Sequence, residues 1–336
     1  MNVTTRDTLT LPKRKSLKLK LQSEAPLLPL FQQFLLNEFT HARQHEKGII
    51  RDDNLEFVHQ YRVSLRRIRS LLKQLKHLCP TDAYSALIPQ LKIMMIHTNQ
   101  LRDLDVYLLK MDDYFNYLEH IHHQGLARFF DDLQDARKSS FKAVKRWLKS
   151  DDYQQQAAHI EAVLNQNWGQ QKTKELAQQK KQRENASQRQ CLDAAQKVIK
   201  KTTQAVKQHS VLLVSDKNGD RNRDDCQIHQ LRIACKQLRY NLEFFAPLIN
   251  RERLKEQLTL LKSLQTTLGD FNDASVQQQF LLSYRSNKKP SSHRYRAISS
   301  LIDITERQHC QSRKRILKQL PHFHQALLKQ HDALFR

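Results

Sequence analysis

Two stretches, VHQYRVSLRRIRSLL at residues 58–72 and IHQLRIACKQLRYNL at residues 228–242, decide how this sequence is read. A constant offset of 170 residues carries His59 to His229, Arg62 to Arg232, Arg66 to Lys236 and Arg69 to Arg239. The same offset carries Leu91-Lys92 to Leu261-Lys262, Arg102-Asp103 to Asn272-Asp273 and Val106 to Val276, without a gap. Chance supplies one such match but hardly an ungapped series. An internal repeat of this kind implies two similar bundles in tandem.

Each stretch reads as an amphipathic helix. Wound at about 100° per residue, residues 55–78 place His59, Arg62, Arg66, Arg69, Lys73 and Lys76 in one sector. Tyr61, Leu65, Ile68, Leu71, Leu72 and Leu75 fall on the other side and form the candidate core face. His229, Arg232, Lys236 and Arg239 make the matching stripe. Solvated helix faces mix signs, because opposite charges at i,i+4 stabilise and like charges destabilise. Here Gln60 to Pro80 holds no Asp or Glu, and Gln230 to Pro247 holds only Glu243. Such a block points to an anion that offsets the repulsion. The first stripe would be about 25 Å long, and two stripes facing each other would line one basic channel. Arginine forks match phosphate oxygens in pairs, and lysines add point charge.

Composition agrees. The 336 residues include only 5 glycines and 8 prolines, too few to turn a many-stranded sheet, while long Gln-, Leu-, Lys-, Arg- and Ala-rich stretches favour helix. An all-α chain is expected. Lys plus Arg number 57 against 34 for Asp plus Glu, a formal charge of +23, so the partner is a polyanion: nucleic acid, an anionic membrane surface or a phosphate polymer. Cys79, Cys191, Cys226, Cys235 and Cys310 are scattered with no C-x-x-C pair, which reads as reduced thiols in a cytoplasmic protein. No apolar run approaches the length of a membrane span. Residues 1–24 are basic and lack an apolar segment, so they read as a tail without order rather than a secretory signal.

The remaining elements follow from punctuation. Helices are expected over Leu27–His45, from Pro89 to about Tyr117, over Leu126–Lys149, through the 160s to about Ser210, over Arg251–Tyr284 and over His293–Lys318, with a last one after Pro321. Gly48–Asn54, His120–Gly125 and Asp216–Asp225 read as loops or turns. The bundled region spans 25–330, with halves of about 25–165 and 170–330.

His59 and His229 have two open readings: each orients a neighbouring arginine, or each donates to a phosphate. The cationic surroundings favour the neutral ring in either case. Asp103 and Asp273 are expected to pair with Arg or His and hold it in place. His41 and His45 have metal-compatible i,i+4 spacing but no third ligand in sight. No phosphate-binding G-x-x-x-x-G-K-[ST] loop and no G-x-S-x-G elbow occurs. Neither a metal, a cofactor nor a catalytic constellation is therefore expected. Single-strand nucleic-acid binders add stacking aromatics, and Tyr240 alone lies clearly in a stripe.

The paired H-x-x-R-[VI] stretches, with LRDLDV at 101–106 and LGDFND at 268–273, resemble the CHAD domain, the conserved histidine α-helical domain. The resemblance covers about Leu27 to Phe323. It implies an all-α fold of two tandem pseudo-symmetric four-helix bundles forming one domain, with a central basic cleft or pore that binds inorganic polyphosphate. The family's signature positions map onto His59, Arg62, Arg66, Arg69, His229, Arg232, Lys236 and Arg239, and Lys92 and Lys262 would face the cleft. Arg67, Lys73, Arg102, Lys138, Lys142, Lys145, Arg307 and Lys314 would widen the basic surface. The implied role is a non-catalytic polyphosphate-binding module, stand-alone and cytoplasmic. Its partners would be polyphosphate and the proteins or granules that handle it. Nucleic acid is the alternative ligand. Asn99 stands where the family places a glycine that Gly269 keeps. Lys236 and Gln237 stand opposite Arg66 and Arg67, so the second stripe is expected to be the weaker one.

Overall fold

Asn54 starts the decisive helix. Its backbone is extended and its side-chain oxygen accepts from the Glu56 N–H at 2.8 Å, satisfying one of the amides that open Leu55–Gln74. Along that helix Tyr61, Leu65, Ile68, Leu71 and Leu72 are buried, as their spacing predicts, and Leu75 is buried just beyond it. Burial of this apolar side, rather than intrinsic propensity, is what holds such a helix.

The structure, a computed structural model, describes residues 7–14, 27–171, 191–215 and 221–331. Its helices are α1 (Leu27–Gln44), α2 (Glu46–Arg51), α3 (Leu55–Gln74), α4 (Thr81–His97), α5 (Asn99–Leu108), α6 (Met111–Tyr117), α7 (His123–Leu148), α8 (Asp151–Asn165), α9 (Cys191–Ser215), α10 (Arg221–Phe244), α11 (Arg251–Ser286) and α12 (His293–His331). Short 3-10 turns follow α3, α6 and α10. Among the described residues there is no strand, so the protein is all-α.

Of the described residues, 7–14, 27–110 and 132–171 form one compact unit, and 111–131, 191–215 and 221–331 form another. In the first, α1 packs on α3, α3 on α4, α4 on α8 and α8 on α1. Phe31, Leu35, Tyr61, Leu65, Leu91 and Ile160 lie buried within that ring of helices. In the second, α9 packs on α10, α10 on α11, α11 on α12 and α12 on α9, around Ile199, Leu231, Leu238, Leu261, Leu301 and Ile316. Gly125, buried in the second unit, admits no side chain: a Cβ there would fall on the carbonyl oxygen of His293, at the first turn of α12.

Several boundaries differ from those the sequence predicts. Pro89 does not open a helix but lies within α4, and Pro321 lies within α12. Both are exposed, so the carbonyl each leaves without a donor is solvated rather than orphaned. The helix expected to run to Tyr117 breaks at buried Thr98, whose hydroxyl turns back to the Met94 and Met95 carbonyls at 3.3 and 3.1 Å. The expected loop at Gly48–Asn54 is partly helical, because α2 continues to Arg51 before Asp52 adopts the left-handed conformation. Residues 221–225, expected in a loop, open α10 instead. Asp225 there accepts from Arg313 of α12, which ties the first turn down. The rest of that loop, 216–220, and the stretch 172–190 lie outside the described residues.

The N-terminal tail also departs from expectation where it is described. Residues 7–14 lie against the first unit: the Leu9 N–H donates to Asp53 at 3.1 Å, and Arg14 meets Glu38 at 3.4 Å and the Ser64 hydroxyl at 3.3 Å. Glu38 is only 4% exposed, and a buried carboxylate must be paired. Arg14 meets that need together with Arg67, at 3.1 Å from the same oxygen.

Candidate functional site

In the first unit the stripe meets the junction of α4 and α5. Arg62, 7% exposed, donates through Nη1 to the Met95 carbonyl at 2.7 Å and to the Thr98 hydroxyl at 2.9 Å. Met95 lies in the last turn of α4, whose carbonyls have no helical partner, so the guanidinium caps that helix. Burial lowers the Arg62 pKa to about 10, and Arg66 and Arg102 add to the lowering while Asp103 opposes it. Arg69 reaches the Met95 sulfur at 3.1 Å. Burial raises the Asp103 carboxyl, and Arg62 and Arg102 pull it back down. Asp103 thus sits among the arginines it was expected to hold.

His59 is half-buried beside the same group. Burial lowers its pKa first, then Arg102, Arg66 and Arg62; only Glu56 raises it. The ring is neutral at neutral pH. Lys73 and Lys92 are exposed on α3 and α4. The structure therefore brings His59, Arg62, Arg66, Arg69, Arg102 and Asp103 into one cluster, with Arg62 at its buried end.

Other candidates lie elsewhere. Arg67 turns away to Glu38 and lies over the Phe34 ring at 5.6 Å, a structural pairing. Arg137 donates to Asp52 at 2.6 and 2.7 Å and to Asp105 at 2.7 Å, and these carboxylates raise its pKa. Nothing in the helical period marks Asp105 as its partner, because the contact joins α7 to α5. Lys138 pairs with neighbouring Asp135 at 3.0 Å, Lys145 lies 5.5 Å over the Phe141 ring, and Lys142 is exposed. Arg307 and Lys314 stand on α12 around a concavity of about 490 Å³ that also holds Asp303 and Glu306, so its charge is mixed.

In the second unit His229 and Arg239 are exposed, and Arg232 and Lys236 are half-buried. Arg239 donates to Glu243 at 2.7 Å and to Gln265 at 3.3 Å. Here α11 runs unbroken past the position matching Thr98, which is Leu268. This unit thus has no counterpart of the helix end that Arg62 caps. Lys262 is exposed on α11, and Asp273 follows Asn272, whose amide lies 3.5 Å from its carboxylate.

His41 and His45 are buried structural groups: His41 bonds the Ser64 hydroxyl at 2.9 Å and His45 the His41 carbonyl at 2.7 Å. Burial, then Arg14, lowers the His41 pKa to about 4. Among the described residues no group of His, Cys, Asp and Glu could hold a metal ion, and no helix is long and apolar enough to cross a membrane.

Fold and site together define an all-helical protein carrying a repeated basic helix. The model of the CHAD domain family matches residues 33–282, and the chain belongs to that family. The crystal structure of the CHAD domain from the plant Ricinus communis is similar in fold, with 20% identity, a TM-score of 0.70, and cover of 96% of this chain and 97% of that one. PptA from Streptomyces chartreusis is similar at 13% identity and a TM-score of 0.66, over 89% of this chain and 100% of that one. No curated protein matches the chain in sequence.

Proposed function

We propose that this protein binds inorganic polyphosphate as a non-catalytic module, through the basic stripe of each unit. The observation that carries the reading is the cluster of Arg66, Arg69 and Arg102 with buried Arg62 behind them, faced by Asp103 and Glu56, with Asp105 near Arg102 but bonded to Arg137, and repeated in plan by Arg232, Lys236 and Arg239. A dense row of guanidinium groups suits a ligand with one charge on every unit and no base to read. Phosphoryl-transfer sites use carboxylates to hold metal ions. Here the carboxylates face arginine and histidine, which favours binding over turnover. Two four-helix bundles in tandem are the architecture that accompanies this reading. The five free thiols fit a reducing cytoplasm, where polyphosphate, its granules and the proteins that handle it would be the partners.

Competition decides between polyphosphate and nucleic acid. Long-chain polyphosphate bound to the protein should be displaced poorly by single-stranded DNA of equal charge, measured by fluorescence anisotropy. Equal displacement would transfer the reading to nucleic acid.

A pH dependence follows from His59. Its pKa is lowered in the unliganded site, and a phosphate beside it opposes that lowering and raises it. Binding then takes up a proton, and affinity rises as pH falls towards the ring's range. Calorimetry in two buffers of different ionisation enthalpy reads this uptake directly. His59→Gln should abolish it, and an unaltered proton uptake in that variant would place the titrating group elsewhere.

A further inference from the structure

The two repeats differ in where they carry charge. At the end of the basic helix, Arg67, Lys73 and Lys76 are matched in the second repeat by Gln237, Glu243 and Ala246. At the start of the next helix the exchange reverses: Thr81, Ala83 and Ser85 are matched by Arg251, Arg253 and Lys255. The cations have moved from one helix to its neighbour.

The second unit gathers the moved charges around one concavity of about 370 Å³, lined by Arg239, Glu243, Arg251, Lys255, Thr259 and Lys262, with Leu254 and Leu258 supplying apolar surface. Arg251, Lys255 and Lys262 share one face of α11 by their spacing. Asn250 fixes the turn that carries the first of them, its side chain accepting from the Glu252 and Arg253 amides at 3.0 and 3.3 Å. Arg239 stands across from them on α10 and is 44% exposed. Its Nε donates to Glu243, a carboxylate 19% exposed that stands where the first repeat has Lys73. In the first unit the matching α4 positions, Thr81 and Ser85, carry no charge, and the Ser85 hydroxyl bonds back to the Thr81 and Asp82 carbonyls.

We propose that this concavity is a compact subsite for a short or terminal stretch of condensed phosphate. Arg239, Arg251, Lys255 and Lys262 are its ligands, and Glu243 is a resident competitor for Arg239. The inference rests on polyphosphate being the ligand of this protein and adds a division of labour. The first unit presents cations in a line along α3, suited to the side of a long chain. The second presents them around a hollow, where one phosphate group can meet several cations at once. Glu243 holds the Arg239 guanidinium in register while the subsite is empty. An entering phosphate displaces the carboxylate, so Glu243 weakens binding of any anion that cannot also engage α11.

Calorimetry with tripolyphosphate and with long-chain polyphosphate tests this on the full chain. The double variant Arg251→Ala, Lys255→Ala should lose about tenfold or more in tripolyphosphate affinity, from two charge-assisted contacts removed. Its long-chain affinity should fall less, and its circular dichroism should stay that of the wild type. Glu243→Gln should bind tripolyphosphate more tightly than the wild type. The pair Thr81→Ala, Ser85→Ala should change neither affinity. If the wild type binds long-chain polyphosphate but tripolyphosphate affinity survives the double substitution, or is absent from the start, the subsite is overturned and the broader reading stands. If the wild type binds neither, the broader reading fails as well.

Discussion

Arg62→Ala should lower the melting temperature, whereas Arg66→Ala with Arg69→Ala should leave it near the wild type and remove most of the first unit's polyphosphate affinity. The three arginines look equivalent in the helical period, and the structure separates them. Arg62 is buried and holds the Met95 carbonyl and the Thr98 hydroxyl where α4 gives way to α5. Hydrogen bonds from a charged donor are worth about 1.5–3 kcal/mol each, and without Arg62 the Met95 carbonyl keeps the Thr98 hydroxyl at 3.1 Å but loses its charged donor. A loss of about 3 kcal/mol corresponds to a fall in Tm on the order of 10 °C for a unit of this size. Arg66 and Arg69 have no comparable hold on another helix: the contact Arg69 makes with α4 is to the Met95 sulfur, and both side chains are half-buried rather than buried. Their charge is available to a ligand at little structural cost. Differential scanning fluorimetry and a binding titration on the same variants read both halves. A wild-type Tm for Arg62→Ala would remove its capping role. Undiminished affinity in the other variant, assayed with Arg239→Ala, Arg251→Ala and Lys255→Ala to weaken the second unit, would remove the stripe from the site.

The second large effect is ionic. If six or more cations meet phosphates, affinity should fall on the order of a thousandfold between 50 and 200 mM salt, because each contact releases condensed counterions. The slope of log affinity against log salt counts those contacts. It should be shallower in the Arg66, Arg69 variant by about two. Burial keeps Arg62 out of this count, so Arg62→Ala should alter stability without altering the slope. A flat response in the wild type would sink the electrostatic account.

What was legible in the sequence was angular. The period of α3 put Tyr61, Leu65, Ile68, Leu71 and Leu72 on one side, and that side is the buried one. The constant offset announced the repeat, and the paired His-x-x-Arg stretches led to the family. Depth was not legible. Arg62 and Arg66 lie in one sector, yet only Arg62 meets a helix end, and that end exists because the chain breaks at Thr98. Arg67, expected to widen the basic surface, faces α1 instead, where buried Glu38 draws it in. Proline does not mark a boundary in α4 or α12. Pro89 and Pro321 sit on exposed faces, where water replaces the missing hydrogen-bond donor. The exchange of charge between Lys73 and Glu243, and between Ser85 and Lys255, was present in the aligned repeats. Its consequence depends on the hollow that α10 and α11 share, which the helical period does not reveal.

The carboxylate of Glu38 bears on where this unit begins. The family match opens at residue 33, and the first helix opens at Leu27. One of the two guanidinium groups on Glu38 nevertheless comes from Arg14, far upstream of both. A chain trimmed to begin at Leu27 keeps every helix of the first unit but strands half of a buried ion pair. The folded unit therefore takes in residues 7–14, in sequence that no helical pattern or family signature marks.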